Sequence, residues 1–236
     1  MTPAYGSGAA RHARWRPPEA VLFDYSGTLF DDTSVLTPGR LAAQCALRGR
    51  ELPHRQAAAL CTDIQAAVDS AEGRALRADA DLSREGHRAV WTRLARTAPG
   101  SDALVAEAFY ACVTASDAWR PYPDTEPVLT ALHRAGVPVA VVSNTGWDIR
   151  GSFAAAGLTG LVTAFVLSCD LGVQKPDPAI FHEACDRLGV APGRSLMVGD
   201  DPAKDGAATA AGLTARILPA ARSVDRPRGL AEALGP

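Results

Sequence analysis

The chain has 236 residues, of which 47% are hydrophobic and 21% charged, and its formal net charge is −2. This is the composition of a soluble globular protein, and the small net charge gives no electrostatic basis for binding nucleic acid or a membrane surface. No stretch approaches the roughly 20 apolar residues of a membrane-spanning helix. The five cysteines are scattered without a Cys-x-x-Cys pair. We therefore expect a cytoplasmic protein with neither a zinc site nor disulfides.

The first ordered element predicted from the sequence is a short buried strand near the N-terminus. Residues 1–18 lack the apolar segment of a signal peptide and are predicted to form a flexible tail. The apolar run 20–23 then indicates a strand of a parallel sheet. Asp24 stands where this strand ends, and Gly27 permits a sharp turn before Thr28. Ligands of parallel sheets bind at the carboxyl ends of the strands, so Asp24 is either an ordinary turn residue or a nucleophile or metal ligand.

Residues 33–121 lack strand signals and are predicted to be helical. Asp31-Asp32-Thr33 is interpreted as a polar connection into this region. Thr37-Pro38 is typical of a helix start, and further helices are predicted from about His54, Ser83 and Ser101. We expect a module of about four helices with its own small core, in which the aromatic residues are core and most arginines face solvent.

From residue 122 onwards, predicted strands and helices alternate. Strands are expected at 138–142, 163–167, 195–198 and 213–218, and helices at 128–135, 149–156, 179–188, 203–211 and 230–234. Repeated strand–helix units predict an α/β fold, with a Rossmann-like parallel sheet and helices on both faces. The strand before Asp24 belongs to this sheet, so 19–32 and 122–236 form the core and 33–121 an inserted helical domain.

Three further polar clusters follow predicted strands or precede helices. Ser143-Asn144 is either a turn or a phosphate-holding loop. Lys175, one of two lysines in the chain, is either solvated or neutralises phosphate charge. Gly199-Asp200-Asp201 and Asp205 form either an acidic helix N-terminus or a Mg²⁺ site, because hard oxygen ligands suit this ion.

These clusters occur in the order of the motifs of the haloacid dehalogenase-like (HAD) superfamily, which the chain resembles from Glu19 to Leu218. The matching residues are Asp24-x-x-Gly27-Thr28-Leu29, then Ser143, then Lys175, and then Gly199-Asp200 with Asp205. The resemblance implies that 33–121 is a helical cap over the active site. It further implies a Mg²⁺-dependent phosphatase acting on a small phosphorylated metabolite, with Asp24 forming an aspartyl phosphate. The resemblance implies that the Asp24 carboxylate, the Ser26 main-chain carbonyl and Asp200 bind Mg²⁺, with Asp201 and Asp205 supporting these ligands. It also implies that phosphate is bound by Ser143, Asn144, Lys175 and the turn at Gly27 and Thr28.

Ser26 departs from the family pattern, in which phosphatases carry a second Asp as general acid/base two residues after the nucleophile. A serine hydroxyl is a poor acid at neutral pH. Three interpretations remain open: a phosphatase that tolerates this loss, a metal-free dehalogenase or carbon–phosphorus hydrolase, and a degenerate binding protein that retains the fold. The cap has no lysine, which argues against the carbon–phosphorus chemistry of the family, and the family's dehalogenases lack the metal-binding Asp that is present here as Asp200. The phosphatase is the preferred hypothesis.

Overall fold

A parallel β-sheet forms the centre of the molecule in a computed structural model that describes residues 18–219, 225 and 227–235. The predicted tail lies outside these ranges except for Pro18. Within them five strands lie side by side in the order Ala164–Leu167, Val139–Ser143, Ala20–Phe23, Ser195–Gly199 and Thr214–Ile217, every neighbouring pair parallel. The predicted α/β fold is confirmed. The strands, including two short ones outside this sheet, are β1 (Ala20–Phe23), β2 (Phe30–Asp31), β3 (Arg120–Pro121), β4 (Val139–Ser143), β5 (Ala164–Leu167), β6 (Ser195–Gly199) and β7 (Thr214–Ile217).

Both faces of the sheet are buried under helices. Along β1, Phe23 packs into one core with Phe153, while the preceding Leu22 points the other way and packs with Phe181. This alternation is why β1, β4 and β6 read as continuous apolar runs in the sequence. The helices of this region are α6 (Thr125–Arg134), α7 (Arg150–Ala155), α8 (Ser168–Leu171), α9 (Pro178–Leu188) and α10 (Leu230–Leu234).

The cap segment, residues 33–121, contains five α-helices in the structure where about four are expected. The additional helix is Ala71–Arg77, which the Ser70 hydroxyl caps by accepting from the Gly73 N–H at 2.9 Å. Its apolar pattern is too short to stand out in the sequence. The helices are α1 (Pro38–Ala46), α2 (His54–Asp69), α3 (Ala71–Arg77), α4 (Arg84–Ala95) and α5 (Ala103–Val113). They enclose an apolar cluster of their own that includes Leu41, Ile64 and Phe109.

The cap leaves and rejoins the rest of the chain at one place. β2 pairs antiparallel with β3, with Phe30 opposite Pro121 and Asp31 opposite Arg120. The sequence predicts neither strand, because two-residue elements carry no periodicity. Their pairing brings both ends of the insertion beside the turn that follows Asp24.

The cap also contacts the core through its segment 78–87. Ser168 Oγ donates to the Asp81 carbonyl at 2.7 Å, and Arg84 pairs with Asp170 at 2.7 Å. His87 lies so close to Gly146 that a methyl group on this glycine would collide with the imidazole. These contacts hold the cap over the carboxyl edge of the sheet.

One predicted helix is wrong in type and extent. Residues 203–211 are expected to be α-helical, whereas the structure has a turn followed by a 3₁₀ helix at Gly206–Ala211. The Asp201 carboxylate accepts from the N–H groups of Ala203 and Lys204 at 2.8 and 3.1 Å, as a helix cap does, but the chain continues with the 3₁₀ bond from the Ala208 N–H to the Asp205 carbonyl at 3.2 Å. Gly206 lowers the helix propensity of this stretch. In the described part of the chain, no helix has the length and apolar character needed to cross a membrane.

Candidate active site

The carboxyl ends of three neighbouring strands bring most of the predicted site residues together. Asp24 follows β1, Asn144 follows β4 and Asp200 follows β6. With Ser26, Asp32, Lys175, Asp201, Lys204 and Asp205 they line a pocket of about 250 Å³, here named the carboxylate pocket. Ser143 and Thr28 are buried and are not among its lining residues. A phosphate-binding role for those two positions remains a prediction from the sequence.

Lys175 is the centre of the site's charge arrangement. Its Nζ donates to Asp24 Oδ1 and to Asp205 Oδ1, each at 2.6 Å, and all three side chains are largely buried. Burial opposes the charged form of the lysine, but the two carboxylates outweigh it and raise the pKa of Lys175. For Asp24, burial raises the pKa above its usual range, and Lys175 counteracts this only in part. An additional cation would favour the ionised form of Asp24.

Asn144 positions Lys175 through the main chain. Its side-chain amide donates to the Lys175 carbonyl at 2.8 Å, and its Oδ1 accepts from the Lys175 N–H at 2.8 Å. Both ends of the amide are therefore occupied by one residue. The Asn144 side chain thus supports the lysine, and its role in phosphate binding remains a prediction from the sequence.

Asp205 shapes the loop that carries Asp200. Its Oδ2 accepts from the main-chain N–H groups of Asp200 and Asp201 at 3.0 Å each, while its Oδ1 binds Lys175. A methyl group on Gly199 would collide with the Asp205 carboxylate, so only glycine leaves room for this arrangement. Asp205 thus joins Lys175 to the Gly199-Asp200-Asp201 cluster.

Gly27 lies in the turn between Asp24 and Ser26 on one side and β2 on the other. Its φ of 73° is in the region that favours glycine, and a methyl group there would collide with Asp200. The Gly27 carbonyl accepts from Arg228 Nε at 2.7 Å. The sequence analysis did not identify Arg228, since no local motif links residues 201 positions apart.

A carboxylate is present next to the position where the family pattern would place one. Ser26 Oγ donates to Asp32 Oδ2 at 3.0 Å, and Asp32 lines the carboxylate pocket. The preceding Asp31 holds this turn, because its two carboxylate oxygens accept from the N–H and hydroxyl groups of Thr33 and Ser34 at 2.7–3.2 Å. Asp32, which the sequence analysis interpreted only as part of a polar connection, is therefore a residue of the pocket. The folded turn places it there.

The donor set of the pocket fits a divalent cation. One oxygen from each of Asp24, Asp200 and Asp205 lies within 4.8 Å of the others. Five carboxylates and two lysines line the pocket, an excess of three negative charges if all are ionised. Burial, followed by the charge of Asp205, raises the pKa of Asp200. Such a cluster is stabilised by a hard cation that prefers oxygen ligands.

Comparison with known proteins assigns the chain to a family. Residues 18–212 match the family described as haloacid dehalogenase-like hydrolases. The chain belongs to this family. The solved structure of a HAD phosphatase from Thermococcus onnurineus superposes with a TM-score of 0.57 and 23% identity, covering 92% of this chain and 97% of that one. This similarity supports the fold assignment alone.

Curated relatives of this HAD hydrolase include both phosphatases and dehalogenases. A phosphoserine phosphatase of Thermus thermophilus is 38% identical over 85 residues, which cover 36% of this chain and 34% of the relative. The (S)-2-haloacid dehalogenase 1 of a Pseudomonas species is 36% identical over 98 residues, which cover 41% of this chain and 43% of the relative. The chain thus spans between a third and a half of the length of these two relatives. Similarity to them does not choose between the two activities.

Removing the buried charge of Lys175 should destabilise this HAD hydrolase. In Lys175→Met, Asp24 and Asp205 would face each other without a counter-charge, at a cost of roughly 3–5 kcal/mol and a fall in Tm of roughly 6–20 °C. Loss of the lysine raises the pKa of Asp24 further, so the deficit should be largest at neutral pH. It should shrink as the pH falls and the carboxyl takes up a proton.

The measurement is thermal unfolding in EDTA at pH 7 and pH 5. Lys204→Met is the matched control, because Lys204 pairs with Asp201 at 3.5 Å with half of its side chain exposed, and it should change stability by less than about 1 kcal/mol. Equal stability losses in the two variants would show that the buried pairs are not required for folding.

Proposed function

We propose that this HAD hydrolase is a Mg²⁺-dependent phosphatase that acts on a small-molecule phosphate monoester. The observation that carries the proposal is the approach of Asp200 to Asp24 and Asp205 in a pocket with excess negative charge. A hydrolase that works without metal has no role for Asp200, and the charge of Asp205 raises the pKa of both Asp24 and Asp200. The Asp24 carboxylate, the Ser26 main-chain carbonyl and Asp200 would hold the ion, with Asp201 and Asp205 fixing the loop behind them. The bound ion would neutralise charge on the phosphoryl oxygens.

The reaction divides into two displacements at phosphorus. In the first, an Asp24 carboxylate oxygen bonds to phosphorus, the bond from phosphorus to the ester oxygen breaks, and the alcohol leaves with a proton. In the second, water attacks the phosphorus of the aspartyl phosphate, the bond to Asp24 breaks, and inorganic phosphate is released as water loses a proton. Lys175 keeps Asp24 in place and contributes positive charge beside the developing transition state.

Both displacements require a proton-transfer group, and we assign this role to Asp32. Its carboxyl would give a proton to the leaving ester oxygen and regain one from the attacking water, so no net proton remains on the enzyme. Ser26 cannot do this itself, but its hydroxyl holds Asp32 at the pocket. A positioned carboxyl of this kind contributes about 10²–10⁴-fold to the rate.

The alternative function is hydrolysis of a 2-haloacid. It is favoured by the identity to the Pseudomonas dehalogenase, which nearly equals that to the Thermus phosphatase. The two functions share Asp24 as nucleophile and differ at Asp200, which has a role only if a cation is bound. Metal dependence therefore separates them.

Mg²⁺ should be required for turnover and should stabilise the protein. We expect phenyl phosphate hydrolysis to stop in EDTA and to return with Mg²⁺. At a concentration of 100 times its Kd, Mg²⁺ should add about 2.7 kcal/mol to the free energy of unfolding. Asp200→Asn should lose both responses. Asp186→Asn should keep them, because Asp186 is an exposed carboxylate on α9. Chloride release from 2-chloropropionate in EDTA, without phosphate release in Mg²⁺, would establish the dehalogenase instead.

A further inference from the structure

A second, larger cavity lies between the cap and the core. Its volume is about 970 Å³, and Ser26, Asp32 and Lys204 line both this cavity and the carboxylate pocket. We name it the cap cavity. Under the proposed function, a substrate whose phosphoryl group contacts Asp24 extends from there into the cap cavity. Sites of about 300–1,000 Å³ hold ligands of drug size.

Aromatic rings from both parts of the protein line the cap cavity. The cap segment contributes Trp91 and Phe109, with ring centres 6.0 Å apart. Trp119, near the end of the cap segment, and Trp147 of the core have ring centres 5.6 Å apart. The sequence analysis interpreted the cap aromatics as core. Phe109 does belong to the apolar cluster of the cap and Trp91 packs against it, and both residues also line the cavity wall, where aromatic faces suit the packing of a flat ring. The body of a two- or three-carbon substrate would leave most of these faces uncovered.

Two buried hydrogen-bond donors of the cavity wall have no acceptor among the described residues. They are Arg77 Nε and Trp91 Nε1. The two side chains are stacked, with the guanidinium carbon 5.4 Å from the centre of the indole, and Arg77 Nη2 donates to the Val68 carbonyl at 3.1 Å. Folded proteins rarely leave buried donors unpaired. Two of them on adjacent side chains indicate that a ligand supplies the acceptor.

The other polar side chains on the cavity wall already have partners. His87 Nδ1 is 3.0 Å from the Tyr110 hydroxyl, and burial lowers the pKa of His87 to about 4, so the ring is neutral. Gln65 Nε2 donates to Asp69 Oδ2 at 2.9 Å. Arg77 and Trp91 are therefore the groups best placed to bind an oxygen acceptor away from the phosphoryl site.

We propose that the substrate is a phosphate monoester with an apolar ring-bearing body, whose far end carries an oxygen acceptor bound by Arg77 and Trp91. The ring packs between the aromatic walls of the cap cavity. A carboxylate is the best acceptor, because the guanidinium is charged. This proposal rests on the proposed function, since it takes Asp24 as the site of phosphoryl transfer.

The first experiment compares substrates with Mg²⁺ present. The series is phosphoserine, phenyl phosphate, 2-naphthyl phosphate and 2-naphthyl phosphate with a carboxylate or a carboxamide at position 6. We expect kcat/KM to rise along the series, with the carboxylate adding about 10–100-fold over plain naphthyl phosphate, mainly through KM. The carboxamide tests whether a neutral oxygen acceptor is sufficient.

The second experiment removes each donor in turn. Arg77→Gln deletes the charge, and Trp91→Phe deletes the N–H but keeps a ring. Each should reduce the ratio of kcat/KM between carboxylated and plain naphthyl phosphate by about 10-fold or more. Arg93→Gln is the matched control, because Arg93 is exposed on α4 and does not line the cavity. If Arg77→Gln does not fold, as judged by its Tm, Trp91→Phe decides.

Two outcomes separate this inference from the proposed function. Efficient Mg²⁺-dependent turnover of phosphoserine, with a carboxylate effect that neither variant alters, would overturn the inference and leave the phosphatase assignment in place. Absence of turnover for every phosphate would overturn the phosphatase assignment. In that case calorimetric binding of 6-carboxy-2-naphthol, lost in Trp91→Phe but kept in Arg93→Gln, would still support the acceptor site, and absence of binding would overturn it.

Discussion

Asp24→Asn is expected to lower phosphate release by at least about 10⁴-fold, because an amide cannot take the nucleophile's role. The side chain keeps its size and Lys175 keeps its second partner Asp205, so the fold should survive. The measurement is steady-state phosphate release with phenyl phosphate, together with the Tm of the variant. Acid quench of the wild type during turnover should trap phosphate on Asp24.

Asp186→Asn serves as the control for a neutralised carboxylate elsewhere on the same domain. It should retain wild-type turnover, because Asp186 is exposed on α9. Residual activity of the Asp24 variant above about 1%, with no trace of reversion to Asp24 by mass spectrometry, would remove Asp24 from the mechanism.

Asp32→Asn is expected to slow hydrolysis of an alkyl phosphate by about 10²–10⁴-fold. The variant loses the group that protonates the leaving oxygen and deprotonates the attacking water. An aryl phosphate with a good leaving group needs no protonation, so only the second displacement should be slow. Rapid-mix kinetics of Asp32→Asn with 4-nitrophenyl phosphate should then show a burst of one equivalent of nitrophenol before slow turnover.

Position 26 provides the complementary test. Ser26→Asp in the Asp32→Asn background should restore part of the lost rate, because it places a carboxylate where the family pattern has one and leaves the main-chain carbonyl unchanged. Ser26→Ala alone should cost less than Asp32→Asn, since it removes only the hydroxyl that holds Asp32. A burst already present in the wild type, with no further loss in Asp32→Asn, would mean that Asp32 does not transfer protons.

The convergence of Asp24, Lys175, Asp200 and Asp205 could be predicted because it follows from strand ends in a parallel sheet. Each of these residues lies directly after a buried apolar strand or at a helix start, and such positions meet at one edge. The same reasoning cannot say which oxygen binds which donor. Asn144, for example, uses both ends of its side-chain amide to bind the main chain of Lys175. These bonds depend on side-chain geometry, which has no signature in the sequence.

The sequence analysis did not identify Asp32 or Arg77 as site residues, for different reasons. Asp32 reaches Ser26 because the turn folds back, with the Gly27 N–H donating to the Phe30 carbonyl at 2.8 Å, and six residues of sequence do not reveal that reversal. Arg77 belongs to a cap rich in arginines, most of which are expected to be solvated. Only the placement of α3 against α4 distinguishes it, since that brings the guanidinium over Trp91.

The position of β1 in the middle of the sheet affects how the protein is made. Its neighbours β4 and β6 begin at Val139 and Ser195, so the strand emerges from the ribosome long before either partner. The cap has its own apolar cluster from Leu41 to Val113, so it has the contacts to fold before the partner strands of β1 have been synthesised. The turn after β1 receives its last hydrogen bond from Arg228. The proposed nucleophile therefore lies in a part of the chain that is synthesised early and completed last.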